Sequence, residues 1–221
     1  MSEDQRHKSS LLILIIGLTM IFGLDNALGQ TDDSLSPTLW QLENGWSYAD
    51  GELVGTGAGQ AIYKESCSAP SQTVTFDLLS LQGELQAQIN INGSNLYALS
   101  FKDNGDGYLN VSLARQDGLE LTDVASAPPV AYDSAREHHA EIVFLKGRIQ
   151  AYLSEGGAQS SELKKIIDYY DPDSLPTGMV AFETQTDSMA RLNNINIICK
   201  AQSSSQAKTP SLGVGFFKRP T

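Results

Sequence analysis

The sequence predicts an all-β protein, an antiparallel sandwich of two sheets that follows a hydrophobic N-terminal helix. Three observations predict it. Apolar and polar residues alternate along most of the chain after residue 38, turns rich in Gly, Asp, Asn and Pro separate the alternating segments, and helical periodicity is nearly absent. The chain has 221 residues, a length that suits one domain with a sizeable core.

The N-terminal segment, residues 11–24, is the apolar run LLILIIGLTMIFGL, and Asp25 ends it. A membrane-spanning helix needs about twenty apolar residues, so this shorter run favours a signal peptide over residues 1–29, cleaved before Gln30. An uncleaved signal anchor is the alternative, because acidic residues near the start cancel the basic charge that precedes the run. Both interpretations place the folded part outside the cytoplasm: periplasmic, secreted, or anchored in the membrane with the domain outside.

A Ser/Asp/Pro linker at residues 30–38 precedes the folded part, and the clearest early strands follow at residues 74–78 and 85–91. Apolar residues take every second position in both segments. This pattern is typical of a sheet with one buried and one solvated face.

Two hairpins come next. The first joins residues 99–101 to 109–113 through the turn Asp103–Gly107, and the second crosses the Lys146–Gly147 turn. The Asn-Gly and Asp-Gly pairs of the first turn tolerate the positive φ that tight hairpins require.

One segment has a helix-like pattern, SELKKIIDY at residues 161–169, with Ser161 as a candidate N-cap. The last strands are expected around residues 179–182 and 192–199. Residues 201–221 are expected to form a flexible tail, because a Ser/Gln run opens them.

The order of these signals resembles a known fold superfamily. Its carriers are Trp40, Gly45-Trp46 and Asp50–Gly55 near the start, then Leu96–Phe101 with Gly107-Tyr108, and Gly178–Phe182 before the closing strand. Together they resemble the laminin-G and concanavalin A-like lectin-glucanase jelly rolls, including the extracytoplasmic domains named for 3-keto-disaccharide hydrolases. The resemblance implies a two-sheet antiparallel jelly-roll sandwich over residues 39–200. Where that family commonly has Trp-His, this chain has His138-His139.

The same resemblance implies a disulfide. In these jelly rolls the closing strand pairs antiparallel with an early strand, here residues 72–79, which brings Cys199 near Cys67. Two free buried thiols are the alternative.

Charge and motifs restrict the function. The net charge of -11 repels phosphate backbones, so nucleic acid is not an expected partner. The Glu-x-Asp-x-Glu pattern of glucanases with this fold is absent. Glu137 and Glu141, beside His139, form the one acidic pair that could serve catalysis, but the favoured explanation is that an edge strand carries such charges to stay soluble. We therefore expect a protein that is not an enzyme.

Aromatic and acidic side chains are the candidates for binding a ligand. Five aromatic residues are candidates for stacking on sugar rings, namely Trp46, Tyr48, Tyr97, Tyr108 and Tyr152. Of these, Tyr48, Tyr97 and Tyr108 are expected to be exposed.

Members of the resembled family often hold calcium, and the resemblance implies no other cofactor. Asp168, Asp171 and Asp173 crowd one loop and are the candidate calcium ligands. Turn chemistry is the alternative explanation for acidic residues in loops.

The leading interpretation is a non-catalytic extracytoplasmic binding or adhesion module, with a glycan or a protein as partner. The alternative is a membrane-anchored accessory subunit of a larger complex that uses residues 11–24 as its anchor. A glycan hydrolase is the third and least favoured interpretation.

Overall fold

The computed structural model describes residues 36–155 and 162–200. The predicted export segment and the predicted tail lie outside these ranges. A 3-10 turn at Pro37–Leu39 precedes the strands. The strands are β1 (Trp40–Leu42), β2 (Trp46–Ala49), β3 (Glu52–Thr56), β4 (Gly59–Tyr63), β5 (Ser71–Asn92), β6 (Asn95–Asp103), β7 (Tyr108–Asp117), β8 (Glu120–Ser126), β9 (Val130–Ala131), β10 (His138–Leu145), β11 (Arg148–Glu155), β12 (Lys164–Tyr170), β13 (Met179–Thr184) and β14 (Met189–Lys200).

Strand β5 is 22 residues long and belongs to both layers of the fold. Its first half lies in layer 1, which has the order β2-β3-β14-β5-β10-β11-β12. Its second half lies in layer 2, which has the order β1-β4-β13-β5-β6-β7 with β8 and β9 paired to β7. All of these pairs are antiparallel, as predicted. The segments expected as two separate strands are the two halves of β5, so one continuous sheet folds over on itself.

The core lies between the two layers. Phe76, in the first half of β5, contacts Phe101 on β6 and Phe182 on β13, with ring centroids 5.8 and 5.1 Å apart. All three rings are fully buried. Burial of each such side chain contributes about 2 kcal/mol, and these contacts join layer 1 to layer 2.

The helix predicted over residues 161–169 is wrong, because Lys164–Tyr170 form the edge strand β12 against β11. The register shifts between Ala151 and Tyr152, which leaves an extra residue on β12. As a result Ile166 and Ile167 both pack toward the core although they are adjacent. A bulge therefore produced the apolar spacing that resembled a helix, and Ser161 lies outside the described residues.

The disulfide implied by the resemblance is confirmed. Cys67 and Cys199 are bonded, with Cα atoms 5.7 Å apart and a sequence separation of 132. Cys199 pairs with Gln72 in the β14–β5 ladder, as the antiparallel register requires. Within the two described ranges, no helix is long and apolar enough to cross a membrane.

Candidate ligand-binding face

A buried carboxylate, Asp77, organises the outward surface of layer 1. Its side chain is 0% exposed. One oxygen lies 2.6 Å from His139 Nδ1 and the other 2.6 Å from Asn194 Nδ2. Because a carboxylate accepts hydrogen bonds, His139 Nδ1 and the Asn194 amide are the donors. These bonds offset the cost of burying the charge, and they leave His139 Nε2 available for other partners.

The backbone brings these groups together across three strands. Asp77 on β5 lies directly opposite His139 on β10. On the other side of β5, the ladder with β14 shifts between Asn193 and Asn196. Asn194 lies inside this bulge with φ of 48°, a left-handed conformation that Asn tolerates better than most residues. The bulge therefore aims the Asn194 side chain at Asp77.

Glu137, just before β10, joins this group, and we call Asp77, Glu137, His139 and Asn194 the Asp77 cluster. Burial raises the pKa of Glu137, and the charge of Asp77 and a hydrogen bond with it raise that pKa further, whereas His139 lowers it. Glu137 therefore keeps its proton to a higher pH than an ordinary glutamate. The cluster offers hydrogen-bond donors and acceptors as well as groups that can exchange a proton.

An aromatic side chain lies one row along the same surface. Glu141 on β10 pairs with Thr75 on β5 and with Tyr152 on β11. All three are half-buried and, by strand alternation, they share the face of His139. We call the Asp77 cluster together with Glu141 and Tyr152 the polar face.

The three tyrosines expected to be exposed have different environments. Tyr97 is 0% exposed, so its predicted role in stacking on sugars is wrong. It shares the strand parity of Leu99 and Phe101, which are core residues. Tyr48 is half-buried and packs against the core. Tyr108 is 48% exposed and lies on layer 2, away from the polar face.

The candidate calcium ligand Asp168 has cationic side chains as partners. Its oxygens lie 2.7 Å from Arg148 Nε and 2.5 Å from Lys165 Nζ. These hydrogen bonds, that of Arg148 most strongly, hold the pKa of Asp168 below its usual range. Both oxygens of Asp168 are thus bonded to side chains at the edge of layer 1.

Asp171 is likewise engaged. It is 3% exposed and accepts hydrogen bonds from Tyr97 at 2.6 Å and from Arg115. Burial acts to raise the pKa of Asp171, but the hydrogen bonds of Tyr97, the Asp173 amide and Arg115 outweigh it and lower that pKa. Arg115 also donates to the Asp173 carbonyl at 3.0 Å.

The guanidinium of Arg115 therefore bonds both the Asp171 carboxylate and the Asp173 backbone carbonyl. Among the residues that the structure describes, no three His, Cys, Asp or Glu side chains are arranged to hold a metal ion. The structure thus does not bring Asp168, Asp171 and Asp173 together as a metal site. Loop composition alone could not show this, because Arg115 is distant in sequence.

Comparisons with known proteins identify the fold. Neither protein-family models nor curated sequences match the chain. Among solved structures, the exoplasmic/lumenal domain of VIP36 in its Ca²⁺/Man3GlcNAc-bound form has a TM-score of 0.61 at 10% identity, over 77% of this chain and 90% of that one. The potassium-bound carbohydrate recognition domain of Emp46p has a TM-score of 0.53 at 12% identity, over 76% and 92%.

A protein of a different kind is also similar. The GH43 protein BlXynB from Bacillus licheniformis has a TM-score of 0.55 at 12% identity, over 73% of this chain and 37% of that one. The chain therefore has the concanavalin A-like lectin-glucanase fold, in agreement with the resemblance. At such identities the likeness establishes the fold, and the function has to be argued from the site.

Proposed function

We propose that this chain is a non-catalytic, extracytoplasmic module that binds neutral glycans through the polar face. The observation that carries the proposal is the buried Asp77 carboxylate, which holds His139 and Asn194 at the surface in line with Glu141 and Tyr152. The similar VIP36 domain with bound Man3GlcNAc and the similar carbohydrate recognition domain of Emp46p support this class of ligand.

The chemistry of the polar face suits a sugar ring. A pyranose presents hydroxyl groups at its edge and C–H groups on its faces, so it needs polar partners beside an apolar surface. His139 Nε2, the Asn194 amide and Glu141 can bond hydroxyls, and the ring of Tyr152 provides a flat surface with a polar tip. Because Asp77 fixes His139 and Asn194 in advance, less side-chain entropy is lost on binding.

Charge indicates the kind of glycan. The net charge of -11 and the carboxyls of Glu137 and Glu141 on the face repel sulfated or uronic-acid polymers. We therefore expect neutral hexose-containing glycans to bind best.

Several observations support the location and the organisation of the chain. The Cys67–Cys199 disulfide persists most readily in an oxidising compartment, and the apolar run of residues 11–24 is typical of export. We propose that the chain has four parts, with boundaries at residues 29, 38 and 200. They are a signal peptide or anchor, a linker, the jelly roll and a tail. An accessory-subunit role depends on residues 11–24 and stays a prediction.

Hydrolysis is a weaker candidate. Retaining glycosidases place their two carboxyls about 5 Å apart, and inverting enzymes place them farther. Asp77 instead lies close enough to Glu137 to raise the pKa of that side chain, and Asp77 is fully buried. With both of its oxygens bonded to His139 and Asn194, Asp77 is not placed to attack a sugar or to activate a water molecule.

The test is a glycan array probed with the purified chain, followed by titration of the best neutral glycan. Tyr152→Ala should weaken binding about tenfold, because the contact of an aromatic ring with an apolar surface is worth about 1.4 kcal/mol. Tyr108→Ala removes an exposed tyrosine from layer 2 and should change little.

The opposite pattern would place the ligand on layer 2 and contradict the proposal. Failure of the wild-type chain to bind any neutral glycan would contradict the proposed ligand class.

A further inference from the structure

A cavity of about 410 Å³ lies at the C-terminal end of β10. Its wall is formed by residues 68–70, which precede β5, by Phe144 and Lys146 at the β10–β11 turn, and by residues 174–177, which precede β13. The volume is in the range of sites that hold a small molecule or a large side chain.

The wall of this cavity is largely apolar. Pro70 and Pro176 are exposed, and Ala69 is half-buried. Phe144 and Leu175, which also line the cavity, belong to the core. Apolar surface that remains in contact with water is stabilised when another apolar group covers it. The wall therefore suits an apolar side chain.

The chain leaves the described part of the fold beside this cavity. Lys200 is the last residue that the structure describes, and it pairs with Ser71 in the β14–β5 ladder. Ser71 Oγ donates a hydrogen bond to the Lys200 carbonyl oxygen at 3.1 Å. Since Ser71 directly follows Pro70 of the cavity wall, residues 201–221 begin next to the cavity.

Residues 201–221 contain one markedly apolar segment. It has the sequence SLGVGFF at residues 211–217, in which Leu212, Val214 and Phe216 alternate with other residues. Such alternation is typical of an extended segment whose apolar side chains share one side. Residues 201–211 connect this segment to Lys200, and eleven extended residues span about 36 Å. The segment can therefore reach the cavity.

Charge favours association of this segment with its own domain. Residues 201–221 have no acidic side chain and three basic ones, Lys208, Lys218 and Arg219. The other 12 of the 15 basic residues and all 26 acidic residues precede them, which gives residues 1–200 a net charge of -14. The two parts of the chain therefore attract each other.

We propose that residues 211–217 dock on the domain of the same chain, with the Phe216 side chain in the cavity at the C-terminal end of β10. The connection of eleven residues holds the segment at an effective concentration of about 1 mM, so it outcompetes the segment of a second copy in dilute solution. This docking does not depend on the proposed glycan binding, because the polar face lies on the outward surface of layer 1.

The experiment follows the contacts of the Phe216 ring by NMR in the full chain. Nuclear Overhauser effects should connect this ring to the side chains of Pro70 and Pro176. In a mixture of ¹³C-labelled and unlabelled chains, these effects should occur within one chain and be absent between chains.

Variants on both sides of the contact test it further. Phe216→Ser removes the apolar anchor and should shift the amide resonances of Ala69 and Leu175. Ala207→Ser lies in the polar connection and is the matched control, so it should leave those resonances unchanged. Ala69→Lys places a charge on the apolar wall that repels the basic segment and should abolish the Overhauser effects, whereas Ala69→Ser should retain them.

Three outcomes would overturn the proposal. The first is the absence of Overhauser effects between Phe216 and the wall, which would leave the cavity to another protein or to water. The second is effects between chains only, which would assign the cavity to a second copy. The third is equal amide shifts from Phe216→Ser and Ala207→Ser. If Ala69→Lys fails to fold, the wild-type mixture and the two tail variants still decide the matter.

Discussion

Two buried side chains, Asp171 and His138, lie at opposite ends of strand β10 and differ in their hydrogen-bond partners. At its C-terminal end, Asp171 donates its backbone N–H to the Gly147 carbonyl, and its carboxylate accepts from Tyr97 and Arg115. At its N-terminal end, His138 has one ring nitrogen bonded to a carbonyl and the other buried without a partner among the described residues. The disulfide also lies toward the C-terminal end, where Cys199 and Gln72 pair next to Ser71, the partner of Leu145.

The difference separates structural polar groups from candidate ligand groups. A buried carboxylate whose oxygens already have protein donors has little left to offer a ligand, although its loop looks like a metal site in the sequence. A surface group that such a carboxylate holds in place, as Asp77 holds His139, keeps its second ring nitrogen for a ligand. Composition therefore favoured the C-terminal end of β10 as a site, whereas the hydrogen-bond partners favour the N-terminal end.

Removal of the disulfide should have the largest effect. Cys67→Ser with Cys199→Ser frees a loop defined by a separation of 132 residues, and the chain-entropy relation gives a loss of about 5 kcal/mol. Urea unfolding followed by the fluorescence of the buried Trp40 and Trp46 measures it. Reductant should destabilise the wild-type chain and leave the double variant unchanged; equal stability of the two proteins would show that the C-terminal end of β10 does not need the bond.

A matched pair of ring substitutions compares the ends directly. Tyr97→Phe removes the hydroxyl that donates to Asp171 and accepts from the Leu175 amide at 3.1 Å, and should cost about 1–3 kcal/mol because buried partners are left unpaired. His138→Phe should cost less than about 1 kcal/mol, because it removes an unsatisfied nitrogen together with one bond to a carbonyl. Free energies of unfolding in urea measure both losses. Equal losses from the two substitutions would contradict the expected difference.

The smallest effect concerns pH. The pKa of Glu137 is raised, first by burial and then by Asp77. The folded protein therefore holds the Glu137 proton more tightly than the unfolded chain does. Stability from this group is fully present below its unfolded pKa of about 4 and is lost as pH rises through the folded pKa. Glu137→Gln should therefore raise the stability of the chain relative to wild type at pH 7, with no difference at low pH.

Asp171→Asn is the control of opposite sign for this pH series. The pKa of Asp171 is lowered, so its stabilisation is present above the unfolded pKa and is lost as pH falls through the folded pKa. The Asn variant should lose the most stability relative to the wild-type chain at neutral pH. Unfolding midpoints between about pH 3 and 8 measure this loss. A Glu137→Gln variant that was also weakest there would contradict the assignment of its raised pKa.

Local features of the fold were predictable from the sequence. The Lys146–Gly147 turn has φ of 49° and 81°, the left-handed values that its glycine favours. The strand segments around residues 74–78 and 85–91 followed from alternation. β12 was mistaken for a helix, because a bulge in its pairing imitates helical spacing and tertiary contacts override local propensity.

Alternation along a strand predicts which site residues are buried only when it is counted over the whole strand. Tyr97 was expected at the surface although it has the parity of Leu99 and Phe101, which themselves mark the core. Tyr152 was among the candidate aromatics, but its position beside Glu141 depends on the β10–β11 register. Asp77 was assigned to the polar side of a strand, and nothing in its neighbourhood in the sequence indicated His139.

The sequence by itself determined the class of fold, because alternation of period two and turn residues with positive φ are local properties that each segment carries alone. The tertiary structure decided which polar groups meet. Asp77 lies 62 residues from His139 and 117 from Asn194, and Arg115 lies 56 from Asp171. Such contacts are set by strand register and by one bulge, which depend on the packing of the two layers together.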